Sequence, residues 1–188
     1  MTSSKRYISP NEFMRDTWRL AAKVVESGWK PDILVVLWRG GATAGVGMHE
    51  FFKTVGWNVE HCPVKCWSYT GIGRNAGKVF FDSPETFLSK IPEGGRVLVV
   101  DDVFDTGRTA NAVKEIMASR GAEMRLACVY WKPAKNATPL EPDYFTKTLE
   151  DEWIVFPHEI EGLSKEEIRE KDEVLFSVIE PFLGSDKK

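Results

Sequence analysis

Two short aliphatic runs, at residues 33–37 and 97–100, each pass through a turn into a segment with helical spacing. Neither approaches the roughly 20 apolar residues that a membrane span needs. Neither alternates polar with apolar, as a half-exposed strand would. Unbroken runs of this length suit strands covered on both faces, as in a parallel sheet between helices. The unit repeats along the chain. Residues 33–37 lead through Arg39-Gly40-Gly41-Ala42-Thr43 into a helix ending near Thr54. A strand over 96–101 leads through a turn into a helix over 109–120, which Gly121 stops before a further strand over 124–131. Strands alternating with helices predict an α/β fold, a mainly parallel sheet flanked by helices.

Local signals fill in the remainder. Ser9-Pro10-Asn11-Glu12 is a capping box with proline at the first helical position. Phe13, Thr17, Leu20, Ala21 and Val24 continue it at helical spacing until Gly28. Residues 58–68 alternate as a strand, 69–78 carry three glycines in ten positions, and 84–90 form a short helix. Pro133, Pro139, Pro142 and Pro157 interrupt residues 132–163, and a second capping box, Ser164-Lys165-Glu166-Glu167, opens a helix running to about Glu180. At 188 residues the chain is read as one domain: a core over 31–131, an irregular hood over 132–163, and a C-terminal helix and tail over 164–188.

Composition narrows the classes. With 25 Lys+Arg against 28 Asp+Glu the formal charge is −3, so the chain is not a basic nucleic-acid binder. Three cysteines build no disulfide framework, and residues 1–30 carry charges and no apolar leader stretch, so a reducing cytoplasm is expected, with no membrane partner. His49, His61, Cys62 and Cys66 fit no common zinc spacing and are read as packing residues.

The chemistry concentrates in Val97-Leu98-Val99-Val100-Asp101-Asp102-Val103-Phe104-Asp105-Thr106-Gly107-Arg108-Thr109. An aliphatic strand ends in two adjacent carboxylates, and a third aspartate opens a Thr-Gly-x-Thr turn into a helix. Ligands of open α/β sheets bind beyond the carboxyl ends of strands. Backbone N–H groups at a helix start form an anion site, and glycine lets that backbone approach a phosphate. Three acidic groups beside such a cradle suit a ribose, with hydroxyls to hold and a magnesium ion to share. Other motifs fail. The Asp-rich diphosphate motif of prenyl synthases belongs in a long helix, Gly40-x4-Gly45 lacks the Walker lysine, and no G-x-G-x-x-G occurs. The bland reading is a solvated acidic turn, disfavoured because three aspartates in five residues repel one another.

Val97–Thr109 resembles the ribose-5-phosphate signature of type I phosphoribosyltransferases, which use phosphoribosyl diphosphate (PRPP). Arg39-Gly40-Gly41, Ser68-Tyr69, Trp131-Lys132-Pro133-Ala134 and Asp151-Glu152-Trp153-Ile154 are similar to pieces of the 6-oxopurine enzymes, those acting on hypoxanthine, guanine or xanthine. The resemblance implies a reaction that joins purine N9 to the anomeric carbon of PRPP and releases diphosphate. It implies that Asp101 and Asp102 hold the ribose hydroxyls, with Asp102 the chief ligand of Mg2+. Asp105, Thr106, Gly107, Arg108 and Thr109 would wrap the 5′-phosphate, and Asp105 would act as general base toward N7. Arg39 and Gly40, joined by a peptide that is often cis in the family, would hold the diphosphate. Ser68 and Tyr69 would open a catalytic lid in which Arg74 or Lys78 could meet the diphosphate. Lys132 would donate to the 6-oxo oxygen, Trp153 would stack on the ring, and Ile154 would offer its backbone to the 2-position.

His158 departs from the pattern, since relatives often carry tryptophan in this region. The resemblance also implies a homodimer or homotetramer. Two alternatives stay open: a non-catalytic PRPP-binding regulator, and a phosphoribosyltransferase for uracil, adenine or orotate.

Overall fold

The computed structural model describes residues 5–68, 78–150 and 152–184. In chain order its elements are β1 (Lys5–Tyr7), α1 (Pro10–Glu26), β2 (Ile33–Trp38), α2 (Gly41–Thr54), β3 (Glu60–Ser68), β4 (Val79–Phe81), α3 (Pro84–Leu88), β5 (Arg96–Phe104), α4 (Arg108–Met117), β6 (Glu123–Trp131), β7 (Tyr144–Thr148), β8 (Trp153–Val155), α5 (Lys165–Lys171) and α6 (Glu173–Ile179). The chain forms two compact units, residues 11–151 and residues 1–10 with 152–188.

The larger unit is built on a six-stranded sheet in the order β4-β3-β2-β5-β6-β7. Every pairing is parallel except β3 with β4. The two aliphatic runs lie side by side at its centre, Ile33 opposite Val97 and Val36 opposite Val100. Residues 33–37 and 97–100 are all buried, and each such side chain contributes about 1.5–3 kcal/mol by leaving water. Helix α1 turns Phe13, Leu20, Ala21 and Val24 inward, the period its sequence announced. Helix α2 packs so closely that a Cβ on Gly45 would come within 2.6 Å of the Val36 side chain. Pro63 interrupts neither β3 nor the sheet, because β4 covers only Cys66–Ser68 and leaves that part of the edge without a pairing strand among the described residues.

The sequence reading placed no strand at β1, β4, β7 or β8, and two further elements differ from it. Strand β5 continues past Asp101 to Phe104, so the acidic pair belongs to the strand's last turns of pleat. The expected C-terminal helix is two helices. Asp172 is extended (φ −164°, ψ 114°), and its carboxylate accepts the Leu175 N–H at 2.8 Å, so an aspartate read as helix interior caps a new helix instead.

In the smaller unit β1 and β8 pair in parallel, Lys5 opposite Trp153 and Tyr7 opposite Val155. The Ser164 capping box forms as read: Ser164 Oγ accepts the Glu167 N–H and Glu167 returns the bond to the Ser164 N–H. The Lys171 ammonium donates to the carbonyls of Phe156 and Glu159, and burial lowers its pKa from the ordinary lysine value. The His158 ring stacks on Phe156, centroids 5.6 Å apart.

Candidate functional site

The carboxyl end of β5 carries the acidic corner. The β5–β6 ladder pairs Asp101 with Cys128 and resumes with Val103 opposite Tyr130. Between these rows the carboxylates serve their own backbone: Asp101 Oδ1 accepts the Asp102 N–H at 3.0 Å, and Asp102 Oδ1 accepts the Val103 N–H at 2.7 Å. Two adjacent carboxyl side chains are thereby held close in protein rather than splayed into water. Burial and the neighbouring Asp102 charge hold the Asp101 carboxyl well above the usual carboxylate range. The same corner acts on its surroundings. Burial and, after it, the Asp101 charge push the Cys66 thiol up to about 11.

The β2–α2 turn meets this corner. A Cβ on Gly40 would lie 2.6 Å from the Asp102 carboxyl carbon, and one on Gly41 would lie 3.1 Å from the Asp101 Cα. Only glycine lets the turn rest on the two aspartates, of which Asp102 is 6% exposed. Arg39 is exposed beside it. The cis peptide of this turn is Trp38–Arg39, one bond ahead of the Arg39–Gly40 bond that the resemblance implied. Gly40 is already helical (φ −55°, ψ −47°) as the cap of α2, so the reversal falls before it.

Beyond β5, residues 105–107 turn into α4. Gly107 adopts φ +75°, the left-handed region open to glycine, and caps the helix. A cavity of about 80 Å³ opens here, lined by Asp101, Asp105, Thr106, Gly107 and Thr109 among others. Arg108, the first residue of α4, is exposed. Asp105 faces two ammonium groups. Lys132 Nζ lies 3.7 Å and Lys135 Nζ 4.0 Å from its Oδ2, while its buried Oδ1 has no hydrogen-bond partner among the described residues. Lys132 itself is only 5% exposed. A buried ammonium beside a carboxylate with a spare oxygen is a donor–acceptor pair suited to a flat heterocycle that presents both a carbonyl and a ring N–H.

Asp101, Asp102, Asp105, Thr106, Gly107, Thr109, Gly40 and Lys132 thus come together in the larger unit. Ser68 ends β3, and Tyr69, with the rest of 69–77 including Arg74, lies outside the described residues. Lys78 is exposed, its ammonium 5.5 Å from the Phe80 ring centroid. Trp153 and Ile154 belong to the smaller unit, where Trp153 is 61% exposed on β8 and Ile154 is buried. His49 and His61 pack ring against ring, centroids 4.8 Å apart. Among the described residues no helix is long and apolar enough to cross a membrane.

Three residues at the site escaped the sequence reading: Lys135, Asn136 and Thr138. The segment they occupy bonds to the turn, the Lys132 N–H to the Phe104 carbonyl (2.9 Å) and the Ala137 N–H to the Thr106 carbonyl (3.0 Å). The available signal was Asn136-x-Thr138 between Pro133 and Pro139, short polar side chains that bond to nearby backbone.

An open, mostly parallel sheet with an acidic strand end beside a glycine-capped helix start defines an α/β protein whose candidate ligand site lies at the carboxyl end of a central strand. The sequence pattern of the phosphoribosyl transferase domain matches residues 7–165, and the chain belongs to that family. It is similar to a hypoxanthine-guanine phosphoribosyltransferase of Lactococcus lactis, 29% identical over 108 residues, 56% of each chain. It is 42% identical to a xanthine-guanine phosphoribosyltransferase of Chromohalobacter salexigens over 65 residues, 35% of this chain and 36% of that one. The chain thus spans little more than half the length of the first relative and about a third of the second.

Among solved structures, a purine phosphoribosyltransferase from Pyrococcus horikoshii aligns with a TM-score of 0.66 at 28% identity, covering 86% of this chain and 97% of that one. A hypothetical protein from Neisseria gonorrhoeae with bound ppGpp shares the fold, with a TM-score of 0.73 at 21% identity over 93% of this chain and 99% of that one.

Proposed function

We propose that this chain transfers ribose 5-phosphate from PRPP to N9 of a 6-oxopurine, with release of diphosphate. The observation that carries the proposal is the convergence of Gly40 on Asp102 beside the cavity at 105–109. It gathers the β2–α2 turn, two carboxylates and a helix start around one strand end, which supports reading them as the diphosphate, ribose and 5′-phosphate subsites.

In this reading the bond from the anomeric carbon to diphosphate breaks as the bond to N9 forms, and positive charge builds on the ribose. Catalysis is then mainly positioning and charge stabilisation. The N–H groups at 106–109 and the hydroxyls of Thr106 and Thr109 hold the phosphate, with Arg108 at the rim, and Arg39 with Gly40 faces the diphosphate. Lys132 donates to the 6-oxo oxygen. Asp105 accepts the proton at N7.

Mg2+ fits Asp101 and Asp102. A buried carboxylate pair that repels itself is relieved by a cation, and Mg2+ typically takes one or two carboxylates with substrate phosphates and water. Asp101 and Asp102 would hold the ion, and oxygens of substrate and solvent would complete its coordination. When bound, the ion would neutralise charge on the departing diphosphate. A cytoplasmic, homo-oligomeric salvage enzyme remains part of this reading.

The test is a spectrophotometric assay with Mg2+, PRPP and, in turn, hypoxanthine, guanine, xanthine, adenine, uracil and orotate. Nucleotide formation with the first three is expected. Formation only with another base moves the substrate class. PRPP binding with no turnover on any base makes the chain a regulator.

A further inference from the structure

We infer that residues 132–140 form a strap that positions the phosphate-binding turn, with Thr138 and Asn136 as its lock; this rests on the phosphoribosyl reading above.

The strap is closed on itself. Thr138 donates both its N–H (3.0 Å) and its Oγ1–H (3.1 Å) to Asn136 Oδ1, and Asn136 Nδ2 donates to the Leu140 carbonyl at 2.7 Å. The Leu140 N–H reaches back to Thr138 Oγ1 at 3.4 Å. It is also closed on the turn, through the Lys132 and Ala137 N–H bonds to the carbonyls of Phe104 and Thr106. Asn136 Oδ1 and Thr138 Oγ1 fill the space a side chain at Gly107 would take, Oδ1 lying 2.9 Å from where a Cβ would stand.

The consequence is conformational. Glycine gives the turn its left-handed residue, but glycine also has the most freedom to leave that conformation. Two polar atoms packed against Gly107, together with two backbone bonds, hold the turn in shape before any phosphate arrives. Preorganisation of this kind raises affinity by lowering the ordering cost of binding. The strap also carries Lys132 and Lys135, whose ammonium groups face Asp105. Phosphate at the turn and purine at Lys132 therefore bias one segment, and any coupling between them is reciprocal. Asn136 and Thr138 are positioning residues: they act through the turn and need not touch substrate.

Thr138→Val keeps the shape and removes the hydroxyl that makes two of these bonds, and Thr138→Ser restores it. PRPP with Mg2+ is titrated calorimetrically into each full-length protein, and KM and kcat are measured with a 6-oxopurine. For the valine variant the Kd and KM for PRPP rise about five- to tenfold, the scale of one or two lost hydrogen bonds. Because the lost contact serves ground and transition states alike, kcat stays within about twofold. The serine variant returns to the unmodified values. PRPP affinity unchanged by valine, or lowered equally by serine, overturns the strap.

Amide exchange on the unmodified protein tests the same point without a variant. Exchange at 132–140 is slow in the free protein and slower with PRPP; fast exchange indifferent to PRPP also overturns it. An unmodified protein that binds no PRPP overturns the phosphoribosyl reading, and the strap's role with it.

Discussion

In the proposed reaction the proton chemistry turns on Asp105. Its Oδ2 faces the Lys132 and Lys135 ammonium groups, so the carboxylate is anchored on one side, while its buried Oδ1 is without a partner. A buried acceptor without a bond costs about 1–3 kcal/mol, so the carboxylate retains unused acceptor capacity. Asp105→Asn keeps the size and the neighbours but removes the basic oxygen. Turnover is expected to fall by about 10²–10⁴-fold, the range for loss of a positioned general base. PRPP binding should persist, because the backbone N–H groups of the turn are untouched. Single-turnover kinetics beside calorimetric PRPP binding separate the two effects, and turnover within tenfold of the unmodified protein would remove Asp105 from the role.

At the scale of elements the telling case is the break between α5 and α6. Both halves have helical spacing, and the sequence alone reads as a single helix, yet Asp172 leaves the helical region and caps Leu175. Asp172→Ala removes that cap at a cost of about 1 kcal/mol. Thermal melts followed by circular dichroism should show a drop of about 2–4 °C for a domain of this size; a rise would mean that the continuous helix is the preferred state and the break is imposed.

The same contrast marks what the sequence could disclose. The β2 and β5 runs, the α1 stripe and the Ser164 box were legible because each is a local pattern with one physical reading. Asp101–Thr109 was legible because strand, carboxylates and turn are contiguous. Lys135, Asn136 and Thr138 were not, since their role depends on a carbonyl and a glycine some 30 positions earlier in the chain. The strand extension to Phe104 was hidden for a related reason. The ladder skips Asp102 and resumes with Val103 opposite Tyr130, while side-chain carboxylates accept the N–H groups of Asp102 and Val103, and no pattern of apolar residues encodes that.

At the scale of the molecule, the larger unit is tied across its sheet by a buried ionic knot on the α1 side. Asp16 is fully buried in α1 and accepts from Tyr130 of β6 (3.0 Å), Lys147 of β7 (2.6 Å) and Arg19 (2.8 Å). Burial works to raise its pKa, but the bonds from Lys147, Arg19 and Tyr130 outweigh it and hold the carboxyl below its ordinary value. Lys147 is raised in turn, chiefly by its bond to Asp16.

The signs define a window. A carboxylate depressed by folding contributes stability that is present above its unfolded pKa of about 3.9 and is lost as pH falls through the folded value. A raised lysine contributes fully below its unfolded value of about 10.4 and loses that contribution as pH rises through the folded one. Between those limits the knot holds. Asp16→Asn keeps the shape but leaves Lys147 facing a neutral amide. The cost at pH 7 is expected near the lower end of the range for a broken buried pair, about 3 kcal/mol, because Lys147 keeps some contact with solvent. That corresponds to a melting temperature lower by about 6–12 °C. Calorimetric melts of both proteins between pH 7 and pH 3 test the assignment. The gap should be full at pH 7 and close as the pH falls below about 4, since the unmodified protein then loses the charge the variant never had. A gap of constant size down to pH 3 would mean that packing around Asp16, rather than its charge, joins α1 to β6 and β7.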